Sequence, residues 1–441
     1  MFDKNLSKFI SSTLRLFPKR LASSSAIEQN SNHPKEYVPN THEISKITPQ
    51  QYLNSDRILS SLKQLIPAEY VTRKKSLDYL YLIDSSIARQ IAEQILPYLV
   101  KNKNKVIAEC LPGLGLLTRQ LLEYKMGPLK LFEPSKFFRE QLKKLATQES
   151  KMIQLYSKTF FKISQYDYSD RLDNGNRVQK LLKNVPKKGW TDDPAISVIG
   201  PILDNKFLQH VIYAISTQKS LVSYGRVEIF AIMRPSHYLV LSTEKDFYKS
   251  KYGYMTVLFN LFFDYKLLCK LPRHSFLPWE RSTVKKSSSK LLSTDINMLY
   301  LVHIVAKKQF PLPSDQLVAF NIFMRKFFKR KARIIPILEY CVPDCGVHIM
   351  MPQLEHDHYF EHIGIFTNFE ELTPIQIVGV FREMYHHPNY KGSPFSAIVE
   401  ASIIKSEAVQ TDYVPGPENS FIDEIEQLYE GCNLSEQNNC Q

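Results

Sequence analysis

Short apolar runs separated by amphipathic stretches occupy the middle of this chain. Apolar runs of this length are typical of buried strands, and they occur at 106–108, 129–133, 152–156, 195–200, 224–230 and 299–306. The intervening stretches show helical spacing: after a candidate N-cap at Asp84, one side carries Ile87, Ile91, Ile95 and Leu99. This alternation predicts an α/β fold built on a mainly parallel sheet.

A tight turn, Pro112 to Gly115, follows the first of these strands, which Glu109 closes. The chain has only 14 glycines, so two of them two residues apart, Gly113 and Gly115, indicate an unusual backbone. A strand–turn–helix crevice lets a ligand approach bare backbone beside a helix N-terminus. The third glycine of a dinucleotide fingerprint is missing, so glycine spacing alone is weak evidence for such a site.

A second acidic residue, Glu133, ends the next strand. In doubly wound folds, an acid about 20 residues past the glycines can accept hydrogen bonds from ribose hydroxyls. The alternative is a solvated surface glutamate.

Length and net charge limit the number of domains and the kind of partner that this chain can have. The 441 residues suffice for two or three domains. The net charge of +13 favours a polyanionic partner, with nucleic acid first and an anionic membrane surface second. The densest apolar run, Val257 to Phe263, is far shorter than the ~18 residues of a membrane span, so we expect none. The six cysteines are scattered and indicate no disulfide framework.

The N-terminal region divides into two segments. Residues 1–26 are basic, amphipathic and poor in acids, which is typical of a mitochondrial transit peptide. A basic helix of the mature protein, lying on a membrane or partner, is the alternative. Residues 27–76 are predicted to be a linker or N-terminal extension.

The C-terminal third is predicted to be helical and to end in a tail. A proline pair at 311–313 marks the boundary between a domain at 77–310 and a helical one at 311–405, whose first helix begins at Ser314 or Asp315. Residues 406–441 contain eight acids and no Lys or Arg. This acidic tail suits a protein partner better than DNA, unless it is loosely ordered.

A basic run near the start of the helical part is the strongest candidate surface for nucleic acid. Its cations are Arg325, Lys326, Lys329, Arg330, Lys331 and Arg333. Two aromatic residues, Phe327 and Phe328, lie among them, and this combination suits phosphate contact with base stacking. A solvated helix face is the alternative.

Cysteine and histidine residues at 341, 345, 348, 356 and 358 invite comparison with zinc sites. Their spacing matches no standard zinc ligand pair. We expect ordinary buried cysteines and no metal.

The motif Glu-x-x-Pro-Gly-x-Gly-x-Leu-Thr, at residues 109–118, resembles the first motif of the ribosomal RNA adenine dimethyltransferase family. The resemblance extends over roughly residues 77–410. The segment Tyr224 to Glu228 and the basic run are most similar to the mitochondrial transcription factor B branch. The resemblance implies a Rossmann-like S-adenosylmethionine-dependent methyltransferase domain with a smaller C-terminal helical domain.

The resemblance also implies a set of cofactor-binding positions, namely Leu82, Glu109, Gly113, Gly115, Glu133 and Thr159. Tyr81 and Leu82 fit a family segment that lies across the cofactor pocket, although plain core packing is equally compatible with Leu82. Thr159 stands where the family has an aspartate that contacts the adenine amine. A threonine carries no charge, so affinity for S-adenosylmethionine is expected to be weak.

The end of the strand at 195–200 departs furthest from the family, which has Asn-x-Pro-Tyr/Phe there. Here the sequence continues Gly200-Pro201-Ile202-Leu203-Asp204. Pro201 replaces the asparagine, Leu203 the proline and Asp204 the aromatic residue. The groups that hold and aim a flipped adenine are absent, so methyl transfer should be weak or lost. Asp204 is either a substitute acceptor or the N-cap of the next helix.

The sequence also predicts a loop and an ion pair near the candidate site. The polar, lysine-rich stretch at 165–190 is predicted to form a loop over the site. Arg226 and Glu228 lie on the same face of a strand and are predicted to form an ion pair.

The resemblance implies a mitochondrial transcription initiation factor of the matrix nucleoid. Its expected partners are the mitochondrial RNA polymerase and promoter DNA, which it would help to open. The alternative is S-adenosylmethionine-dependent dimethylation of adenines in mitochondrial small-subunit rRNA.

Overall fold

The computed structural model describes residues 48–55, 57–101, 105–243, 252–280, 295, 297–351, 360 and 363–407. Chain contacts separate residues 1–46 from residues 47–441, and everything below belongs to the second unit. The predicted transit peptide, and the predicted acidic tail beyond residue 407, lie outside the described residues.

Nine strands are present in the described part of the chain. They are β1 (Tyr81–Leu82), β2 (Val106–Cys110), β3 (Leu129–Phe132), β4 (Ile153–Tyr156), β5 (Ile196–Pro201), β6 (Val227–Met233), β7 (Phe263–Pro272), β8 (Phe276–Leu277) and β9 (Met298–Ala306).

The helices of the same part surround and follow the sheet. They are α1 (Pro49–Asn54), α2 (Arg57–Leu62), α3 (Ser85–Val100), α4 (Leu116–Glu123), α5 (Lys136–Gln148), α6 (Ile163–Asp173), α7 (Arg177–Leu181), α8 (Lys206–Thr217), α9 (Pro235–Ser242), α10 (Tyr254–Phe262), α11 (Leu317–Phe327), α12 (Ile334–Cys341), α13 (Cys345–Met350), α14 (Pro374–His386) and α15 (Pro394–Glu407).

The main sheet has the strand order β4-β3-β2-β5-β6-β9-β7 within the described residues. The strands from β4 to β6 are parallel, and β9 runs antiparallel to both of its neighbours. The strand order reverses at β2, which has β3 on one side and β5 on the other. Such a reversal opens a crevice at the carboxyl ends of the strands. The predicted Rossmann-like α/β fold is therefore confirmed.

Local capping signals in the sequence are confirmed by hydrogen bonds. The Asp84 carboxylate accepts from the backbone N–H groups of Ser86 (2.9 Å) and Ile87 (3.3 Å) at the start of α3. At the start of α14, Thr373 and Gln376 form a capping box. These caps satisfy backbone donors that have no partner inside the helix.

The predicted loop at 165–190 is wrong, because this stretch contains most of α6 and all of α7. The buried residues Val178, Leu181, Leu182 and Val185 pack into the main hydrophobic core. Polar residues and lysines outnumber these few apolar side chains in the sequence, and for that reason the sequence alone favours a loop.

The helical part shares its core with the sheet. One cluster of buried side chains includes Val198 and Ile304 of the sheet together with Phe323 of α11 and Phe381 of α14. The first helix begins at Leu317, later than the predicted start at Ser314 or Asp315. The division of the chain at 311–313 stays a prediction.

A buried ion pair lies at the amino-terminal ends of the parallel strands. Lys105 Nζ lies 2.5 Å from Glu228 Oε2, with both side chains almost inaccessible to solvent. Ser197 donates to the same carboxylate, and His303 Nε2 lies 3.0 Å from Glu228 Oε1. Burial raises the pKa of Glu228, but the bond from His303 and the charge of Lys105 outweigh it and lower that pKa overall.

The predicted Arg226–Glu228 ion pair is wrong. Arg226 donates instead to the backbone oxygens of Asp192 (2.7 Å) and Ala306 (3.0 Å). Glu228 pairs with Lys105 instead. The two residues are far apart in the chain, so local spacing could not predict this pair.

Replacing Lys105 by Met should lower the free energy of unfolding by about 3–5 kcal/mol, because Glu228 would lose its buried countercharge. Chemical denaturation measures this change. The matched control is Lys143→Met, which breaks the exposed Lys143–Glu140 pair and should cost less than about 1 kcal/mol. Equal losses in the two variants would contradict the assigned role of the buried pair.

Candidate cofactor crevice and nucleic-acid surface

The glycine turn after β2 has the backbone that the sequence predicts. Gly113 and Gly115 have φ values of +56° and +70°, which disfavour other residues. Space is also limited: a Cβ added at Gly113 would lie 2.9 Å from Cδ1 of Tyr81, and one at Gly115 would lie 2.9 Å from Cδ2 of Leu142. Both positions therefore require glycine in this packing.

Glu109 lies buried at the end of β2, beside the turn. Its Oε2 accepts a hydrogen bond of 2.7 Å from the Thr118 hydroxyl of α4. Burial raises the pKa of Glu109 to about 7, against the opposing effect of this hydrogen bond.

Glu133 follows β3 and is completely buried, at 0% exposure, which excludes the alternative of a solvated glutamate. Its Oε2 accepts from the Gly113 N–H at 3.0 Å. Its Oε1 accepts from the Ser135 N–H at 2.9 Å and from the Tyr81 hydroxyl at 3.1 Å. Burial raises the pKa of Glu133 to about 7, although these hydrogen bonds lower it.

The side chain from β1 that contacts this crevice is Tyr81. Leu82, the predicted contact, is partly buried and packs against the hydrophobic cluster that includes Leu131. Adjacent strand residues point to opposite faces, and this alternation was the available signal. The hydroxyl of Tyr81, unlike Leu82, can take part in polar recognition.

Thr159 lies buried where the chain leaves β4, immediately before a short turn at Phe160–Lys162. Its backbone oxygen accepts from the Lys162 N–H at 3.3 Å. The next residue, Phe160, packs against Phe132 with ring centroids 5.1 Å apart. A role for Thr159 in cofactor binding stays a prediction.

The acids and the glycine turn come together as the predicted nucleoside site requires, but their present arrangement does not fit S-adenosylmethionine. The acids and the glycine turn are in place at the carboxyl ends of β2 and β3. However, the ring of Tyr81 lies against Gly113, and the buried carboxylate of Glu133 has its donors from the protein itself.

The end of β5 holds none of the groups that would position an adenine amine. Gly200 lies close against β2, since a Cβ there would be 2.7 Å from the backbone oxygen of Cys110. Pro201 is buried and Leu203 is partly buried. Asp204 is exposed, and its Oδ1 accepts from the Lys206 N–H at 2.9 Å, at the start of α8. The N-cap of α8 is Asn205 and has no side-chain cap bond, so the alternative of Asp204 as the N-cap is wrong, and the contact of Asp204 is a local turn just before the helix.

The basic run forms a surface at the carboxyl end of α11. Arg325, Lys326, Lys331 and Arg333 are exposed, and Arg330 Nε lies 2.9 Å from Glu370 Oε2. We call the four exposed cations the α11 basic surface. The first two of them lie in the last turn of α11, where they also favour the helix dipole.

The expected stacking by Phe327 and Phe328 is wrong, because both rings are buried. Phe328 packs against Phe369 with centroids 5.0 Å apart. The available ring is that of Phe366, which is 69% exposed and lies 4.9 Å from the guanidinium carbon of Arg333. Local sequence could not indicate this pairing, since the two residues are far apart in the chain.

No group of three His, Cys, Asp or Glu side chains that could hold a metal occurs among the described residues. Cys341 and Cys345 are buried free thiols, and burial raises the pKa of Cys345 to about 12. His356 and His358 lie outside the described residues. None of the helices that the structure describes is long and apolar enough to cross a membrane.

The raised pKa of Glu109 makes a pH-dependent contribution to stability. The unfolded state releases this proton near pH 4.5 and the folded state near pH 7, so the free energy of unfolding falls as pH rises between these values. Glu109→Gln should remove this contribution to the pH dependence. The free energy of unfolding of the variant, relative to that of the original chain, should therefore increase by roughly 2–4 kcal/mol between pH 4 and pH 8. Denaturation across this range measures it, with exposed Glu149→Gln as the control. Parallel pH profiles for Glu109→Gln and the original chain would contradict it.

Comparison with known proteins agrees with the sequence motifs. A model of the family "Ribosomal RNA adenine dimethylase" matches residues 71–340, more than half of the chain. Dimethyladenosine transferase 2, mitochondrial, of Drosophila melanogaster is 28% identical over 382 residues, covering 78% of this chain and 84% of that protein. The protein of the same name from Homo sapiens is 24% identical over 292 residues, covering 63% and 72%.

A solved structure of a dimethyladenosine transferase from Plasmodium falciparum has a TM-score of 0.42 at 15% identity, covering 71% of this chain and 98% of that one. The resemblance to the second mitochondrial paralogue is confirmed by the named relatives. This chain belongs to the ribosomal RNA adenine dimethylase family.

Proposed function

We propose that this protein is a mitochondrial transcription initiation factor, which works with the mitochondrial RNA polymerase to open promoter DNA. The observation that carries the proposal is the end of β5, where Gly200, Pro201, Leu203 and Asp204 replace the base-holding motif of the family. Asp204, the polar side chain among them, accepts a hydrogen bond from the N–H of Lys206 in a turn just before α8.

Adenine methylation depends on positioning, because the exocyclic amine must be aimed at the methyl donor with the base out of its stack. Pro201 offers neither a side-chain acceptor nor a backbone N–H. Leu203 and Asp204 provide no aromatic face. The scaffold is therefore better suited to binding nucleic acid than to modifying it.

The nucleic-acid surface of the scaffold is retained. The α11 basic surface presents four exposed cations in a chain whose net charge is +13. Cations of this kind neutralise backbone phosphates irrespective of sequence. Phe366, exposed beside Arg333, supplies a ring on which an unpaired base can stack.

A mitochondrial location supports the same proposal. Curated relatives from Drosophila melanogaster, Rattus norvegicus and Homo sapiens are named as mitochondrial proteins. Residues 1–26 also have the basic, acid-poor pattern of a transit peptide. We place the protein in the matrix, at the nucleoid, where its proposed polymerase partner and promoter DNA would be.

In the proposed mechanism, the factor binds the polymerase and holds a separated promoter strand. The α11 basic surface contacts the phosphates of that strand, and Phe366 stacks on a base. Holding a single strand favours the open state because it binds that state and not the closed duplex.

Run-off transcription with the cognate mitochondrial polymerase tests this function. On duplex promoter, transcripts should depend on the factor; on the same promoter with a pre-melted start site, they should not. If the factor changes neither reaction, the proposal fails.

The α11 basic surface can be tested by the double substitution Arg325→Glu/Lys331→Glu. Binding to single-stranded DNA should weaken, and the slope of log affinity against log salt should fall in magnitude by about 1.4, or 0.7 per lost phosphate contact. A fluorescence titration at several salt concentrations measures both. The matched control is Lys136→Glu/Lys144→Glu, which changes two exposed cations of α5 and keeps the net charge of the two variants equal. Equal slopes for both variants would show that net charge alone is responsible.

The retained acids Glu109 and Glu133 beside the glycine turn favour a second candidate function, the dimethylation of adenines in mitochondrial small-subunit rRNA. Incubation with S-adenosylmethionine and that rRNA, followed by mass spectrometry of nucleosides, distinguishes the two. We expect less than one dimethyladenosine per hundred rRNA molecules. Stoichiometric modification would favour the enzyme.

A further inference from the structure

The carboxylate of Glu133 already accepts hydrogen bonds from three donors of the protein itself. Oε1 accepts from the Ser135 N–H and the Tyr81 hydroxyl, and Oε2 accepts from the Gly113 N–H. A carboxylate has about four acceptor positions, so a further donor could bind by number alone. However, Glu133 is completely buried, so surrounding protein leaves no space for a further donor from a ligand.

Tyr81 is the one donor of the three that can be moved without breaking the backbone. The other two donors are main-chain N–H groups, fixed by the glycine turn and by the start of α5. A ribose diol that binds Glu133 must therefore displace the Tyr81 hydroxyl.

Aromatic neighbours hold Tyr81 in this position. Its ring centroid lies 4.6 Å from that of Phe138 and 5.1 Å from that of Tyr70. The ring of Tyr70 also packs against Phe138, with centroids 5.6 Å apart. Tyr70 lies in the short turn Ala68–Tyr70, so this turn packs on Tyr81 through the ring of Tyr70.

We propose that Tyr81 controls whether the crevice accepts a nucleoside, since its hydroxyl takes the position on Glu133 that a ribose hydroxyl needs. The ligand class is an adenosine derivative with a free 2′,3′-diol, such as S-adenosylmethionine. Tyr70 supports the closed position, and the crevice opens when both rings move away together. This role concerns the crevice alone and is independent of promoter opening.

The direct test is Tyr81→Phe, which keeps the ring and removes the hydroxyl. The variant leaves a buried carboxylate one donor short, and a ribose hydroxyl can supply it. Affinity for S-adenosylmethionine should rise by about tenfold or more, as expected for a hydrogen bond to a charged group. Calorimetric titration of the full chain measures it, with Tyr156→Phe as the control, since Tyr156 donates to Gln154 instead.

A pair of ligands separates competition at Glu133 from simple enlargement of the crevice. Adenosine should gain affinity in Tyr81→Phe, whereas 2′,3′-dideoxyadenosine, which lacks the diol, should not. A gain for both ligands, or for neither, would overturn the proposal.

Tyr70→Leu provides a second variant in case Tyr81→Phe fails to fold. It removes the aromatic ring that packs on Tyr81 and leaves the Tyr81 hydroxyl in place, so a smaller gain with the same dependence on the diol is expected. Unchanged affinity for adenosine in this variant would also count against the proposal. The run-off assay above tests promoter opening separately, so the two proposals can fail independently.

Discussion

Desolvation of Glu133 is the constraint on which the crevice depends. A carboxylate at 0% exposure is tolerated only when donors surround it. The chain supplies them from three segments: the glycine turn, the start of α5 and β1. Since Tyr70 packs on Tyr81, the same requirement links the short turn Ala68–Tyr70 to β1.

Because buried acids need donors from the protein, the presence of Glu109 and Glu133 does not by itself indicate a working cofactor site. Glu109 and Glu133 stand at positions that the resemblance assigns to cofactor binding, and both have partners within the protein. An acid with structural partners can be kept after its catalytic use is lost, because removing it would leave buried donors unpaired. The two candidate functions therefore differ at the end of β5, where Pro201 and Asp204 stand, and not at the acids.

Features that depend on local sequence could be predicted, and those that depend on distant partners could not. Buried strands, the Asp84 cap and the glycine turn follow from residues within a few positions of each other. The Tyr81–Glu133 bond joins residues 52 apart, and the Lys105–Glu228 pair joins residues 123 apart. Hydrophobic spacing contains no information on such polar pairings, and the choice of Leu82 came from the family resemblance alone.

The burial of Phe327 and Phe328 changes how the basic run can work. Alternation of aromatic and basic residues looked like a base-stacking surface, but here the rings pack inward and thereby direct the neighbouring cations toward solvent. In the proposed function, the four exposed cations beside Phe366 would contact phosphates and would offer little means of distinguishing bases. We infer that this surface holds a strand without selecting its sequence, so any promoter specificity must come from elsewhere in the initiation complex.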